Sequence, residues 1–301
     1  MRVVTHLNDL AAEGGVLAIG NFDGVHRGHR LLLDRMREIA VREAVPSTVV
    51  TFFPPAKVFF SGAPYLASAA EKEALLASYA PDELLVQPFD AAFAATDAQT
   101  FLDALARCAP HTIVVGEDFR FGRARAGGLD ELQHVPDRLE VIRLQHEGGE
   151  PISSSRIRAH LAEGDVEAAN ALLGAPYLAM GEVVHGDHRG RTIGYPTANV
   201  DLPSEKALPR GVFAVTVDVP DGGTHGGMAN VGPRPTFPGE APRLEAHLFD
   251  FEGDLYGRTV TVRFHAHLRD QRAFDGLDDL KRQLARDAQD ARDALGTVLK
   301  G

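Results

Sequence analysis

The chain has 301 residues, 44% of them hydrophobic and 24% charged, with 31 Lys+Arg against 42 Asp+Glu and a formal net charge of -11. That length predicts one large or two ordinary domains, and the balance excludes a long disordered chain, a collagen and a coiled coil. The acidic excess argues against general duplex-DNA binding, and the single cysteine, Cys108, excludes an internal disulfide and a Cys-based zinc site.

The N-terminus, MRVVTHLNDLAAEGG, has no apolar run after its charge, and no stretch reaches the roughly 18 apolar residues that span a bilayer. We therefore expect a cytoplasmic protein, monomeric or weakly homo-oligomeric, whose partners are small molecules rather than nucleic acid or membrane. From Val16 to about Gly174 short apolar runs alternate with helix-like stretches. The runs VLAIG (16–20), STVVTFF (47–53), ELLVQ (83–87), HTIVVG (111–116) and LEVIRL (139–144) have the character of buried strands. Between them, 29–44, 68–80 and 97–109 carry apolar residues at three- and four-residue spacing. Alternation of this kind predicts right-handed crossovers and a doubly wound parallel sheet.

Past Pro176 the pattern changes to strands separated by Gly/Pro turns. Val260, Val262, Phe264, Ala266 and Leu268 alternate with Thr259, Thr261, Arg263, His265 and His267, predicting one core face and one wet face. GVFAVTVDV (211–219) and RLEAHLFDF (243–251) are similar, so an antiparallel barrel or sandwich follows. The chain closes on a helix near 276–295 with Leu277, Leu280, Leu284, Ala288 and Ala291 in one stripe.

The sharpest motif is GNFDGVHRGHR at 20–30, after the first of these strands and opening the first helix. Such a turn aims backbone N–H groups and the positive end of a helix dipole at an anion. Gly20, Gly24 and Gly28 permit close backbone approach, and His26 and His29 stand one helical turn apart, placed to donate to phosphate oxygens. Residues 120–128, RFGRARAGG, add three arginines to an acidic protein. In GEDFRFG, Asp118 and Arg120 fall at the carboxyl edge of the sheet, and in SSSRIR the serines cap a helix whose Arg156 can grip a phosphate. A metal-hydrolase reading of the 13 histidines fails on spacing, since there is no HExxH and His265 and His267 make a pair at most.

HxGH after that strand resembles the signature of the nucleotidyltransferase superfamily, and GNFDGVHRGH resembles one branch of it, the FAD synthetase module of the bifunctional riboflavin kinase/FAD synthetases. VVGEDFRFGRARAGGLDEL (114–132) and ISSSRIRAHLAEGDVEAANALLGAPY (152–177) are similar to further motifs of that module, the latter with Ser153, Ser154, Arg156 and Arg158 in the motif positions. GEVVHGDHRGRTIGYPTANV (181–200) resembles the flavokinase motif, and LPRGVFAV and GMANVGPRPTF continue the likeness. The fold it implies is α/β: an N-terminal doubly wound parallel-sheet nucleotidyltransferase domain over 1–176, and a C-terminal antiparallel β-barrel flavokinase domain with a terminal helix over 177–301. The implied activities are phosphorylation of riboflavin to FMN with ATP and Mg2+, then adenylylation of FMN to FAD with release of pyrophosphate.

By the same resemblance, Gly20, Asn21, Phe22, Asp23, Gly24, Gly28, Asp118, Arg120, Ser153, Ser154 and Arg156 hold ATP and its phosphates in the first domain, with His26 and His29 catalytic. Gly186, Gly190, Arg191, Gly194, Pro196, Thr197 and Asn199 hold ATP and flavin in the second, Thr197 and Asn199 also hold Mg2+, and Glu245 is the kinase base. Hydroxyl and amide oxygens suit magnesium. Strand alternation puts Glu245 and His247 on one face, opposite Leu244, Ala246 and Leu248. The chain departs from the family pattern after STVVTFF, where Phe53 and Pro55 replace an acidic residue and a histidine, and Ser155 stands where threonine is common. Two alternatives are an adenylyltransferase for another mononucleotide, against which the flavokinase-like half argues, and a non-catalytic flavin-binding regulatory protein, against which the retained phosphate-handling side chains argue.

Overall fold

A computed structural model describes residues 1–11, 13–186, 194–232, 243–296 and 298 of the chain. These divide into two compact units, Met1–Ser154 and Ser155–Gly301. In the first unit six strands, β1 (Arg2–Val4), β2 (Val16–Ile19), β3 (Ser47–Phe53), β4 (Glu83–Pro88), β5 (Thr112–Gly116) and β6 (Arg138–Ile142), form an all-parallel sheet in the order β1-β4-β3-β2-β5-β6. β1 was not expected from the sequence and pairs in parallel with β4 at the sheet edge. The two-strand hairpin β7 (His146–Glu147) and β8 (Glu150–Pro151) follows.

The sheet is covered on both faces because its strands alternate two apolar sets. Val16, Ala18, Val49, Leu84 and Val114 pack with Leu32, Leu33, Met36 and Ile39 of α1 (Arg27–Glu43). Leu17, Ile19, Val50, Leu85, Ile113 and Val115 face the other way, toward a core that holds Phe101, Leu102 and Leu105. The shorter helices of this unit are α2 (Ala56–Ser61), α3 (Ala69–Ala77), α4 (Ala91–Ala94), α5 (Ala98–Ala106), which carries those three residues, and α6 (Leu129–Leu132). The doubly wound sheet expected from the alternation is present.

At the junction and in the second unit stand α7 (Ser154–Ala162), α8 (Val166–Leu173) and the strands β9 (Tyr177–Val184), β10 (Ala198–Asp201), β11 (Gly211–Val219), β12 (Gly223–Gly232), β13 (Arg243–Leu248) and β14 (Thr259–Arg269), followed by α9 (Leu277–Leu295). The strands close an antiparallel barrel in the order β10-β13-β12-β11-β14-β9. Closure leaves no sheet edge among these strands. α8 is tied to the barrel by Asn170, whose Nδ2 donates to the Phe264 carbonyl at 2.9 Å and whose Oδ1 accepts from the Tyr177 N–H at 2.7 Å.

The alternation expected along 259–268 holds only as far as Phe264. Val215 pairs with Phe264 but Ala214 pairs with Ala266, and Phe213 pairs with His267 but Val212 with Arg269, so β14 carries extra residues at 265 and 268. Each bulge flips the faces that follow it. Ala266 and Leu268 therefore pack with Ala214, Met228, Ala291 and Leu295 under α9. His267 turns with Phe213, ring centroids 5.3 Å apart, while His265 Nε2 lies 2.9 Å from Thr216 Oγ1. The two histidines thus do not share the wet face expected for them.

α9 is fastened by one buried ion pair. Arg269 Nη2 donates to Asp287 Oδ2 at 2.7 Å, and Gln283 Nε2 donates to Asp287 Oδ1 at 2.7 Å, with the Asp287 side chain 1% exposed. Removing one partner of such a pair strands the other charge, at a cost of several kcal/mol. Asp287→Ala is expected to lower the stability of the second unit by about 3 kcal/mol in chemical denaturation; an unchanged unfolding midpoint would show that the pair contributes nothing.

Candidate functional site

β2 is the point at which the first sheet reverses its winding. The chain runs outward from β2 to β3 and β4, then returns to lay β5 on the other side of β2 and β6 beyond it. Open α/β sheets bind ligands in the crevice at the carboxyl ends of the strands flanking such a reversal. Two of the sequence motifs converge there: GNFDGVHRGH leaves β2, and GEDFRFG leaves β5 with Asp118 and Arg120 both exposed.

The turn after β2 is tightly wound. Gly24 has a φ of +80°, and Phe22 and Val25 take φ values of 43° and 45°, a region that side-chain-bearing residues rarely occupy. Surrounding groups hold them there. The Phe22 side chain is fully buried in the core beneath the turn, and Asp23 Oδ1 accepts from the N–H groups of Leu66 at 2.8 Å and Ala67 at 3.2 Å. Asn21 Oδ1 accepts from the Ala56 N–H at 3.2 Å. Ser154 Oγ donates to the Asp23 carbonyl at 3.0 Å, so the start of the SSSRIR segment meets this turn. Of the residues expected to contact nucleotide, Phe22 and Asp23 thus turn their side chains into the support of the turn. Ser153 directly precedes α7, and Arg156 lies in its first turn.

His26 caps α1: its Nδ1 accepts from the His29 N–H at 3.3 Å, which leaves the ring proton on Nε2. The His26 and His29 rings stack with centroids 3.6 Å apart and planes at 13°. Burial pushes His26 down to about 4, and burial together with the charges of His26 and Lys72 holds His29 well below the ordinary imidazole range. His29 Nδ1 is buried without a hydrogen-bond partner among the described residues. Two neutral imidazoles at a helix N-terminus can donate N–H groups to an anion without carrying charge of their own.

In the second unit Asn199, Glu245 and Asn230 lie directly across from one another on β10, β13 and β12, all half-buried. Directly opposed residues bring their Cβ atoms within about 5 Å. The neighbouring row, Ala198, Ala246 and Ala229, is buried on the other face. Asn230 went unnoticed in the sequence; its Oδ1 accepts from Gln271 Nε2 at 2.7 Å. Gly186 lies over Asn199, where a Cβ would come within 2.3 Å of the Asn199 Nδ2, so no larger residue fits without moving that amide. His247, expected beside Glu245, has its Nδ1 2.8 Å from the Pro196 carbonyl. A carbonyl only accepts, so His247 donates there and ties the PTAN segment to β13. Thr197 is half-buried just before β10, and Gly194 and Pro196 are exposed. Gly190 and Arg191 lie outside the described residues.

The side chains expected to hold Mg2+, Thr197 just before β10 and Asn199 on it, offer neutral oxygens, and among the described residues no group of three or more His, Cys, Asp and Glu could hold a metal. No helix of the described residues is long and apolar enough to cross a membrane.

Comparison with known proteins places both halves. A family model for FAD synthetase matches residues 9–156 and one for riboflavin kinase matches residues 173–295. Proteins named bifunctional riboflavin kinase/FMN adenylyltransferase are similar along nearly the whole chain: that of Escherichia coli strain K12 is 41% identical over 98% of this chain and 97% of its own. The one from Pseudomonas fluorescens is 39% identical over 97% of each, and that of Bacillus subtilis 35% over 96% of each. A solved structure described as a macrolide-efflux protein from Streptococcus pneumoniae superposes with a TM-score of 0.86 at 34% identity, covering 96% of this chain and 98% of that one.

The histidine geometry has a consequence that needs no ligand. Because the folded state holds His26 near 4 against 6.5 in the unfolded chain, the unfolded state takes up the proton first as pH falls. Its contribution to stability is full above about pH 6.5 and is lost progressively toward about pH 4. NMR titration of the His26 imidazole, assigned by comparison with His26→Gln, is expected to show a midpoint near 4; a midpoint near the ordinary value would overturn the buried, capping role.

Proposed function

The chain belongs to the bifunctional riboflavin kinase/FMN adenylyltransferase family, and on that premise we propose how its two units divide the work. It catalyses two ATP-consuming steps, riboflavin to FMN and FMN to FAD. We place the boundary between the catalytic modules at 176/177, where β9 opens the barrel, so that α7 and α8, which cluster with the second compact unit, count with the first module by sequence. The observation that supports the division is that the two motifs lie in different units, a helix-capping histidine pair at the sheet reversal in one and the Asn199–Glu245 pair on the barrel in the other.

In the kinase module Glu245 accepts the proton of the riboflavin 5′-hydroxyl as its oxygen attacks the γ-phosphorus of ATP, and ADP leaves. Asn199, opposite Glu245, and Thr197, two residues before it, would hold Mg2+ together with the nucleotide, a set of neutral oxygens that fits an ion completing its shell with phosphate and water. When bound, that ion neutralises charge on the transferring phosphoryl group. Gly186 keeps the space above the Asn199 amide open. His247 fixes Pro196, and through it the approach to Thr197.

In the adenylyltransferase module an FMN phosphate oxygen attacks the α-phosphorus of ATP and pyrophosphate departs, so the protein supplies no nucleophile. Its part is positioning and charge stabilisation. The N–H groups at the start of α1 and the His26 and His29 rings face the phosphates, while Asp118 and Arg120 approach from β5. The substrates are small molecules, and we expect the protein to work in the cytoplasm as a monomer or weak homo-oligomer, without nucleic acid or membrane.

Incubating the purified chain with riboflavin, ATP and Mg2+ and separating the flavins over time is expected to give FMN and then FAD. FMN alone would remove the adenylyltransferase assignment, and no product would favour a binding protein. Glu245→Gln is expected to cut riboflavin phosphorylation by about 10²- to 10⁴-fold while FMN adenylylation survives. His29→Ala is expected to do the reverse, and equal loss of both activities in either variant would refute separate sites.

A further inference from the structure

Beneath the turn that follows β2 lies a cation that the mechanism above does not use. Lys72, on α3, has no exposed surface. Its Nζ donates to the Asn21 carbonyl at 2.7 Å and to the Phe52 carbonyl at 2.7 Å, with Thr51 Oγ1 at 3.4 Å. Thr51 Oγ1 itself donates to the same Asn21 carbonyl at 3.1 Å. The ammonium thus joins three elements: the anion-facing turn at Asn21, the end of β3 at Phe52, and α3.

Among the described residues no carboxylate lies within ion-pair distance of Lys72. Its helical neighbour Glu71 accepts from the Ser68 N–H at 2.7 Å in the capping box of α3. Asp23, the negative charge that acts on Lys72 across the turn, accepts from the Leu66 and Ala67 N–H groups. At the end of β3 the chain offers Phe53 and Pro55, with the Phe53 ring centroid 5.8 Å from the Lys72 Nζ, and no charged side chain. Carbonyl oxygens need a donor but not a full charge, and a buried cation is costly where only the Asp23 charge across the turn, and no ion pair, offsets it. A triphosphate arriving at the turn above would add to that offset.

We propose that Lys72 is a positioning residue for adenylyl transfer, its buried ammonium fixing the Asn21 carbonyl and placing positive charge under the phosphate-binding turn. The proposal rests on the assignment of that turn to the adenylyltransferase site. Its charge already reaches the site, since it helps to lower the affinity of His29 for a proton. Burial lowers the Lys72 ammonium to about 8, and the Asp23 charge opposes that fall. The ionisable groups around it are Asp23 from the turn and His29 from α1, with Glu71 beside it on α3. Lys72, held at about 8, changes charge in the mildly alkaline range. Losing its proton removes the charge and one of the three N–H groups, leaving two to hold the Asn21 and Phe52 carbonyls.

The test uses the intact chain, with FAD formation from FMN and ATP measured from about pH 7 to about pH 10, and riboflavin phosphorylation by the same preparation as internal control. Wild-type FAD formation is expected to fall about tenfold per unit above about pH 8, a limb that the kinase step does not share. Lys72→Met is expected to lose roughly 10²-fold of FAD formation and the alkaline limb with it. Lys72→Arg, which keeps its charge throughout, is expected to recover part of the rate with no limb in this range. A wild-type profile without that limb overturns the proposal even if the variants fail to fold. So does a Lys72→Met enzyme with wild-type FAD formation, or equal, pH-independent loss in both variants, which is the mark of a purely structural lysine. A wild-type chain that makes FMN but never FAD overturns the adenylyltransferase assignment itself, and Lys72's role falls with it.

Discussion

The two-faced burial of β2 is the constraint on which the first unit depends. Leu17 and Ile19 point into one apolar core, Val16 and Ala18 into the other, so the strand is buried on both sides and sits inside the sheet. A strand so placed has one neighbour reached by outward winding and another reached by the return, and the carboxyl ends of that pair cannot both be roofed by the same crossover. The gap left there is where GNFDGVHRGH and GEDFRFG emerge. The opening is therefore a by-product of how the core is covered, and the turn beside it is shaped by residues in constrained settings: Phe22 and Val25 at positive φ, and a histidine used as a helix cap.

The barrel solves a different problem with similar means. Its inner face is sealed by small and branched residues, Ala198, Ala229, Val231, Leu244 and Ala246, and the alternation that buries them projects Asn199, Asn230 and Glu245 on the opposite face in a single row. Register thereby decides which side chain stands opposite Asn199, since a one-residue slip of β13 would exchange Glu245 for Ala246. The bulges in β14 show the same variable in use, because they turn Ala266 and Leu268 toward α9 and give the terminal helix an apolar seat. The Arg269–Asp287 pair then fixes where that helix lies.

Much of this was legible in the sequence because it is written in local patterns. Strand and helix periods gave the sheet and its helices, and the motifs after β2 and β5 fell at strand ends as a phosphate site requires. What was hidden depends on non-local geometry. β1 is three residues long, and β12 carries glycines at 223, 226, 227 and 232, so neither shows a strand pattern of its own. Phe22 and Asp23 read as ligand contacts because the motif is continuous, but only the fold shows that one side chain fills the core and the other serves Leu66 and Ala67. A bulge has no signature in the alternation that it breaks, which is why His265 and His267 were placed together. Lys72 lay inside a helix of ordinary composition; its contacts are 51 and 20 residues away in sequence.

An acidic chain that binds polyanionic nucleotides raises a question that net charge alone answers wrongly. At physiological ionic strength charges more than about 8 Å apart in solvent scarcely feel one another, so the excess of carboxylates spread over the surface does little at the site. What acts there is local and fixed in place. The backbone N–H groups of α1 and the neutral His26 and His29 donors contribute no net charge, so they need no counterion when the site is empty. Arg120, Arg123 and Arg125 are exposed after β5, where water compensates them until a ligand arrives. Of these cations Lys72 alone is fully buried, with the buried Asp23 carboxylate across the turn, and burial makes its field the least screened of the set. Donors that are mostly neutral would let the proposed site hold phosphates without a basic surface, which reconciles a net charge of -11 with a chemistry whose substrates are all, after the first step, anions.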